Sequence, residues 1–149
     1  MNGPPKPPEG RFIKRAEVSD LILEACPSFR KTWEELDEED RRACYVVAGE
    51  FAHHLLHLYE QGLTDEFPAV CGVFERLQLE GTPYVQELAT IGFLEGIQNV
   101  WSHTGVDPEV FYEFLLPESR LWWCELNDFW EQKIPSVGAT IDERRKRKQ

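Results

Sequence analysis

From about residue 16 to residue 138 apolar side chains recur at helical spacing, and no segment alternates apolar and polar residues as a half-buried strand would. That periodicity predicts an all-α fold, a single compact bundle of six or seven helices joined by short links. Proline and glycine mark the joints. Val18, Leu21, Ile22 and Ala25 share one face of a first helix that Pro27 stops. Phe29, Trp33 and Leu36 continue the period. The acidic run Glu34, Glu35, Asp37, Glu38, Glu39 and Asp40 then precedes a long pattern from Arg41 to Gln61, and negative charge suits a helix N-terminus. On a wheel of about 100° per residue, Ala43, Val47, Phe51, Leu55 and Leu58 fall on one face, with Tyr45, Ala48, Ala52, Leu56 and Tyr59 on the other. A helix apolar on two sides belongs at the centre of the bundle.

Gly62 is placed to end that helix, and Phe67, Val70, Val73, Phe74 and Leu77 define another that ends near Gly81. Thr82 and Pro83 form an N-cap followed by proline at the first helical position, opening a helix to about His103. Within it Val85, Ala89, Gly92 and Gly96 make a stripe of small residues on which a second helix backbone can sit closely. Asp107-Pro108 repeats the capping device for a short helix. Pro117 opens the last one, with Trp122, Trp123, Leu126, Phe129 and Trp130 on its buried side and Glu118, Glu125, Asp128 and Gln132 toward water.

The ends read differently. Residues 1–15, with prolines at 4, 5, 7 and 8, are predicted to be a flexible arm, and residues 139–149, with five bases against two acids, a basic flexible tail. Residues 16–138 then form the helical domain. They hold 24 acids and 7 bases, so the domain is more acidic than the whole chain with its net charge of −11. Such a charge argues against a nucleic-acid partner or an anionic lipid surface, and it steers basic proteins toward the chain. No apolar run approaches the roughly 18 residues of a membrane span. The first dozen residues lack the apolar stretch of a secretory signal, so the expected location is the cytoplasm. Cys26, Cys44, Cys71 and Cys124 form no C-x-x-C pair and lie in helical patterns, which predicts free thiols rather than disulfides.

Two clusters are candidates for chemistry. Glu50, His53 and His57 share a polar flank of the long helix, and carboxylate and imidazole at i, i+3 and i+7 can project toward one metal ion. They do not form H-E-x-x-H, and no second E-x-x-H completes a two-metal site. Histidines on a half-buried helix are the plainer reading. The second cluster is the polar stripe Glu87, Glu95, Gln98 and Ser102, with Asn99 beside it, either a solvent edge or a ridge that binds basic or hydrogen-bonding groups of a partner. Phosphate-binding glycine loops, a nucleophile elbow and a cysteine–histidine pair at catalytic spacing are all missing, so neither an enzyme nor a cofactor is expected.

Phe67-Pro68-Ala69-Val70, Val73-Phe74-Glu75-Arg76-Leu77, Glu80-Gly81 and the run from Leu88 to Asn99 resemble an uncharacterised family of small bacterial all-helical proteins, whose helix pair is similar to one HEAT-type hairpin. Gly105-Val106-Asp107-Pro108 and Pro117-Glu118-Ser119 fit the same pattern, and the resemblance spans about residues 63–131. It implies no catalytic residue. In charge and class the chain is also similar to acidic toxin-immunity proteins, a likeness without a shared motif. The reading at this level is a non-enzymatic bacterial interaction module of immunity or antitoxin type whose protein partner is a basic toxin. A metal-binding bundle using Glu50, His53 and His57, with or without enzymatic activity, and a structural or scaffold subunit stand beside it. No oligomeric state follows.

Overall fold

The computed structural model describes residues 11–148, so the prolines of the expected arm lie outside the described residues. Among the described residues nine helices and no strand are present. Helix α1 (Val18–Ala25) follows a 3-10 turn (Arg15–Glu17), and a second such turn (Pro27–Phe29) leads into α2 (Arg30–Glu35). The acidic run is α3 (Glu38–Arg42), whose N-cap Asp37 accepts the Asp40 N–H at 2.8 Å. Helices α4 (Cys44–Glu60) and α5 (Phe67–Glu80) come next. The long helix α6 has three continuous parts, an α-helical start at Pro83–Glu87, π-helical turns at Leu88–Leu94 and an α-helical end at Glu95–His103. Thr82 caps it by accepting the Val85 N–H at 3.3 Å. Helices α7 (Glu109–Tyr112), α8 (Pro117–Trp130) and α9 (Ile141–Lys148) complete the chain.

The count exceeds six or seven because two joints are less visible than proline or glycine. Leu36 and Ala43 adopt extended ψ values of 143° and 90°, which cut the expected Arg41–Gln61 helix and its approach into α2, α3 and α4. The ninth helix lies in the stretch expected to be a flexible tail.

The centre is the pairing of α4 with α6. A Cβ on Gly92 would lie 3.4 Å from the Ala48 Cβ, and one on Gly96 would lie 3.9 Å from the Ala48 carbonyl oxygen and the Ala52 Cβ. The small-residue stripe therefore lets the two backbones approach, as its spacing predicts. Trp101 crosses the same seam and donates its indole N–H to the Ala52 carbonyl at 3.1 Å. Around this pair the core is aromatic. Phe51 meets Phe29, Phe74 and Phe93 edge to face, with centroids 4.9, 6.3 and 5.9 Å apart, and Phe111 joins Phe67, Trp101 and Trp123. All eight of these rings are fully or almost fully buried.

Both expected boundaries move outward. Ile13 is buried and extended alongside Gly81; its N–H donates to Glu80 O at 2.8 Å and its carbonyl accepts from the Thr82 N–H at 3.0 Å. The chain between α5 and α6 thereby finds partners for its backbone groups. At the other end the basic residues form α9, packed on α8, so the tail is not a free extension over 141–148. On α8 itself the expected wheel is partly reversed. Glu118 and Glu125 are buried, whereas Trp130 is 59% exposed and Trp122 half-buried.

Two glycines of α5 and its end should respond oppositely to alanine. A Cβ on Gly81 would meet the Leu77 carbonyl at 2.5 Å and Val85 Cγ1 at 2.6 Å, so Gly81→Ala should cost roughly 1–3 kcal/mol. Gly72 is helical with nothing within 4 Å, and Gly72→Ala should stabilise by about 0.5–1 kcal/mol. Urea unfolding of the two variants checks both signs.

Candidate functional site

A cleft of about 530 Å³ lies between α5, the first half of α6, α8 and the start of α9. Its buried base is Gln78 and Thr90, which exchange hydrogen bonds: the Gln78 amide donates to the Thr90 hydroxyl at 2.9 Å, and that hydroxyl faces Gln78 Oε1 at 3.3 Å. Glu118, Trp122 and Arg145 form one wall, Ile91 and Val137 add apolar surface, and Gln86 and Glu87 stand on the exposed rim. Size, concavity and a few converging polar groups make this the natural place for a ligand or a partner side chain.

The wall is built from charges that the fold must compensate. Glu118 accepts the Trp122 indole N–H at 3.2 Å and Arg145 Nη2 at 2.5 Å. Its backbone N–H and that of Ser119 donate to Glu75 at 2.9 Å each, so a carboxylate on α5 caps the positive end of α8. Glu125 has 0% exposure, and its carboxylate accepts from Gly138 N at 3.0 Å, Thr140 N at 3.1 Å, the Thr140 hydroxyl and Arg144 Nε. Arg144 also reaches Asp128. Burial pushes the Glu125 carboxyl up, but the Thr140 and Arg144 bonds outweigh it and hold the group below its ordinary range.

A second polar cluster lies where α1 ends, against α4 and the start of α5. The Ser28 hydroxyl is 2.8 Å from His54 Nε2 and bonded to Glu66 Oε1, and the Ser28 N–H donates to Glu66 Oε2 at 3.2 Å. Cys26 Sγ donates to Glu66 Oε1 at 3.4 Å. An ionised carboxylate only accepts, so the single hydroxyl proton goes to Glu66 and His54 Nε2–H donates to Ser28. Burial lowers the His54 pKa despite the nearby Glu66 charge, which keeps the ring neutral at pH 7. Burial chiefly, with the Glu66 charge, raises the Cys26 thiol to about 12. Glu66 is held below its ordinary value because the Ser28 and Cys26 donors outweigh its own burial.

The sequence-predicted residues fall into three groups. Glu50, His53 and His57 are all exposed, and the three side chains of ligand type that the fold draws together are Cys26, His54 and Glu66. Glu87 and Glu95 remain on the surface, each holding an aromatic ring: Tyr45 OH lies 3.4 Å from Glu87, and the Trp130 indole donates to Glu95 at 2.7 Å. Asn99 and Ser102 are exposed. Gln98 is the exception. At 7% exposure it donates to the Trp123 carbonyl at 3.4 Å and to Asn127 at 3.2 Å, so it ties α6 to α8 and is withdrawn from partner contact. The π-helical turns upstream explain the difference, because they advance less than 100° per residue and rotate everything after Leu94 relative to a regular wheel.

Sequence reasoning missed Ser28 and Glu66, whereas His54 falls among Ala43, Val47, Phe51 and Leu55 on the apolar face of α4. That position was the available signal, since a buried imidazole needs hydrogen-bonding partners.

Residues 19–131 match a domain family described as a domain of unknown function, DUF7674. The chain belongs to this family. No curated protein and no solved structure matches it. The DUF7674 match includes Cys26, Ser28, His54, Glu66 and the α5, α6 and α8 residues of the cleft, while Arg144 and Arg145 lie beyond it.

The α8–α9 ion pairs set a pH-dependent stability. Arg144→Met leaves Glu125 as a buried, uncompensated carboxylate and should destabilise by about 3–5 kcal/mol at pH 7. Because the native Glu125 pKa is lowered, its contribution is present above the ordinary carboxyl range near pH 4 and fades as pH falls toward the native value. Chemical denaturation of both proteins should therefore give a difference that shrinks below about pH 4.

Proposed function

We propose that the protein is a non-enzymatic interaction module that engages a basic protein partner through an acidic helical surface, as a bacterial immunity or antitoxin protein engages its toxin. The observation that supports this most is the state of Glu87 and Glu95. Neither makes an ion pair among the described residues, and each is bonded to an exposed aromatic, Tyr45 at 40% exposure and Trp130 at 59%. Carboxylates steer a basic partner, and Tyr and Trp are the side chains that most often carry binding energy once water is excluded. Asn99 and Ser102 extend the polar part of this surface.

The fold contains its own example of the recognition chemistry. Arg144 and Arg145 sit on Glu118, Glu125 and Asp128, showing how α8 carboxylates receive guanidinium groups in this molecule. Glu87 on the rim of the cleft and Glu95 beside Trp130 carry no such intramolecular cation among the described residues and are open to a partner's arginine or lysine. Four free cysteines suit a reducing compartment and support a cytoplasmic site of action. No helix of the described residues is long and apolar enough to cross a membrane.

Affinity capture from the native host at low and high salt tests the reading. One stoichiometric basic protein should be recovered, released by salt, with its Kd raised on the order of 10-fold or more by Glu87→Lys or Glu95→Lys. A stable complex with an acidic or uncharged partner, indifferent to salt and to both reversals, would contradict it.

A further inference from the structure

The metal ligands expected on the flank of α4 stay apart in solvent, but four other side chains converge. Cys26, His54 and Glu66 each offer one ligand atom, and these atoms lie within 4.8 Å of one another. They come from the end of α1, from α4 and from the residue before α5, so no single helix imposes their proximity. Ser28 Oγ is a fourth corner, 3.6 Å from Cys26 Sγ and 2.8 Å from His54 Nε2, while Cys26 Sγ and Glu66 Oε1 are 3.4 Å apart. A tetrahedral zinc ion with bonds of about 2.3 Å to sulfur and about 2.0 Å to nitrogen or oxygen needs corners roughly 3.3–3.6 Å apart. The two spacings to Cys26 Sγ meet that requirement, whereas Ser28 Oγ hydrogen-bonds both His54 and Glu66 and lies closer to them than tetrahedral corners do, so it has to draw back as an ion enters.

We propose that Cys26, His54 and Glu66 form a zinc site with three protein ligands and a fourth position taken by the Ser28 hydroxyl or water. The donor set of one thiolate, one imidazole and one carboxylate suits a borderline cation such as Zn²⁺ better than the hard Mg²⁺ or Ca²⁺, which take oxygen ligands. The surroundings suit it too. Cys26 is fully buried, the Phe29 ring lies 5.4 Å and the Phe51 ring 6.4 Å from the imidazole, and Ser28 is exposed, so the apolar side is closed and the ion enters past the hydroxyl. Binding is balanced by protons. The Cys26 thiol proton passes to solvent, the His54 ring proton moves from Nε2 to Nδ1, and one proton is released per zinc. The inference is independent of the partner-binding surface, which is built from other residues.

The test uses the untagged full-length chain after chelator treatment, titrated with Zn²⁺ against a chromophoric chelator and separately with Co²⁺. The expected result is one equivalent of metal, a sulfur-to-cobalt charge-transfer band, and loss of that band in Cys26→Ser. Affinity should fall more than about 100-fold in His54→Gln, beyond what loss of a supporting partner costs, and the triple variant Glu50→Gln, His53→Gln, His57→Gln should bind as the unaltered chain does. Circular dichroism verifies that each variant folds. Should Cys26→Ser fail to fold, Glu66→Gln and His54→Gln carry the comparison, each expected to lose the tetrahedral cobalt spectrum. Cobalt binding without a thiolate band, zinc stoichiometry near zero, or retention in His54→Gln with loss in the triple variant would overturn the proposal.

Discussion

Two buried carboxylates, Glu118 and Glu125, govern how the last third of the chain is arranged. A carboxylate removed from water is tolerated when cations and hydrogen-bond donors surround it, and each of these has both. The cations, Arg144 and Arg145, lie 19 residues beyond Glu125 and 27 beyond Glu118, so satisfying the acids obliges residues 138–145 to turn back along α8. That turn places Val137 and Arg145 in the wall of the cleft. The Glu75 carboxylate then ties the start of α8 to α5, and Gln98 ties α8 to α6. Cleft geometry and charge satisfaction are therefore one problem with one solution.

The same arrangement redistributes the surface charge. The basic residues near the C-terminus do not simply offset the acidity of the helical domain from a distance, because two of them neutralise particular acids at short range. What is left outward is acidic on α6, beside Tyr45 and Trp130, and that is the character a basic partner would meet. The convergence of Cys26, His54 and Glu66 lies at another junction, where α1, α4 and α5 meet around Phe29.

Local signals in the sequence carried through where the cause was local. Thr82-Pro83 opens α6, the Phe67 to Leu77 spacing becomes α5, and the Gly92 and Gly96 stripe meets Ala48 and Ala52. Signals failed where the cause was distant. Glu118 and Glu125 read as a solvent face because nothing near them in the chain reveals that Arg144 and Arg145 return to cover them. Gln98 read as part of a surface stripe because a regular wheel omits the π-helical turns at Leu88–Leu94. Glu50, His53 and His57 lie exposed on one helix, whereas the cluster that converges, Cys26, His54 and Glu66, draws on three elements and uses the histidine on the apolar face of α4.

Amide hydrogen exchange at Gly138 and Thr140 tests the buried-carboxylate account most directly, because both N–H groups donate to Glu125. In the full chain they should exchange only through a large opening, with protection close to that of the core amides of α4 and α6. Exchange of both at the rates of an unstructured peptide, while the core stays protected, would contradict the claim that α9 is held on α8 and shapes the cleft.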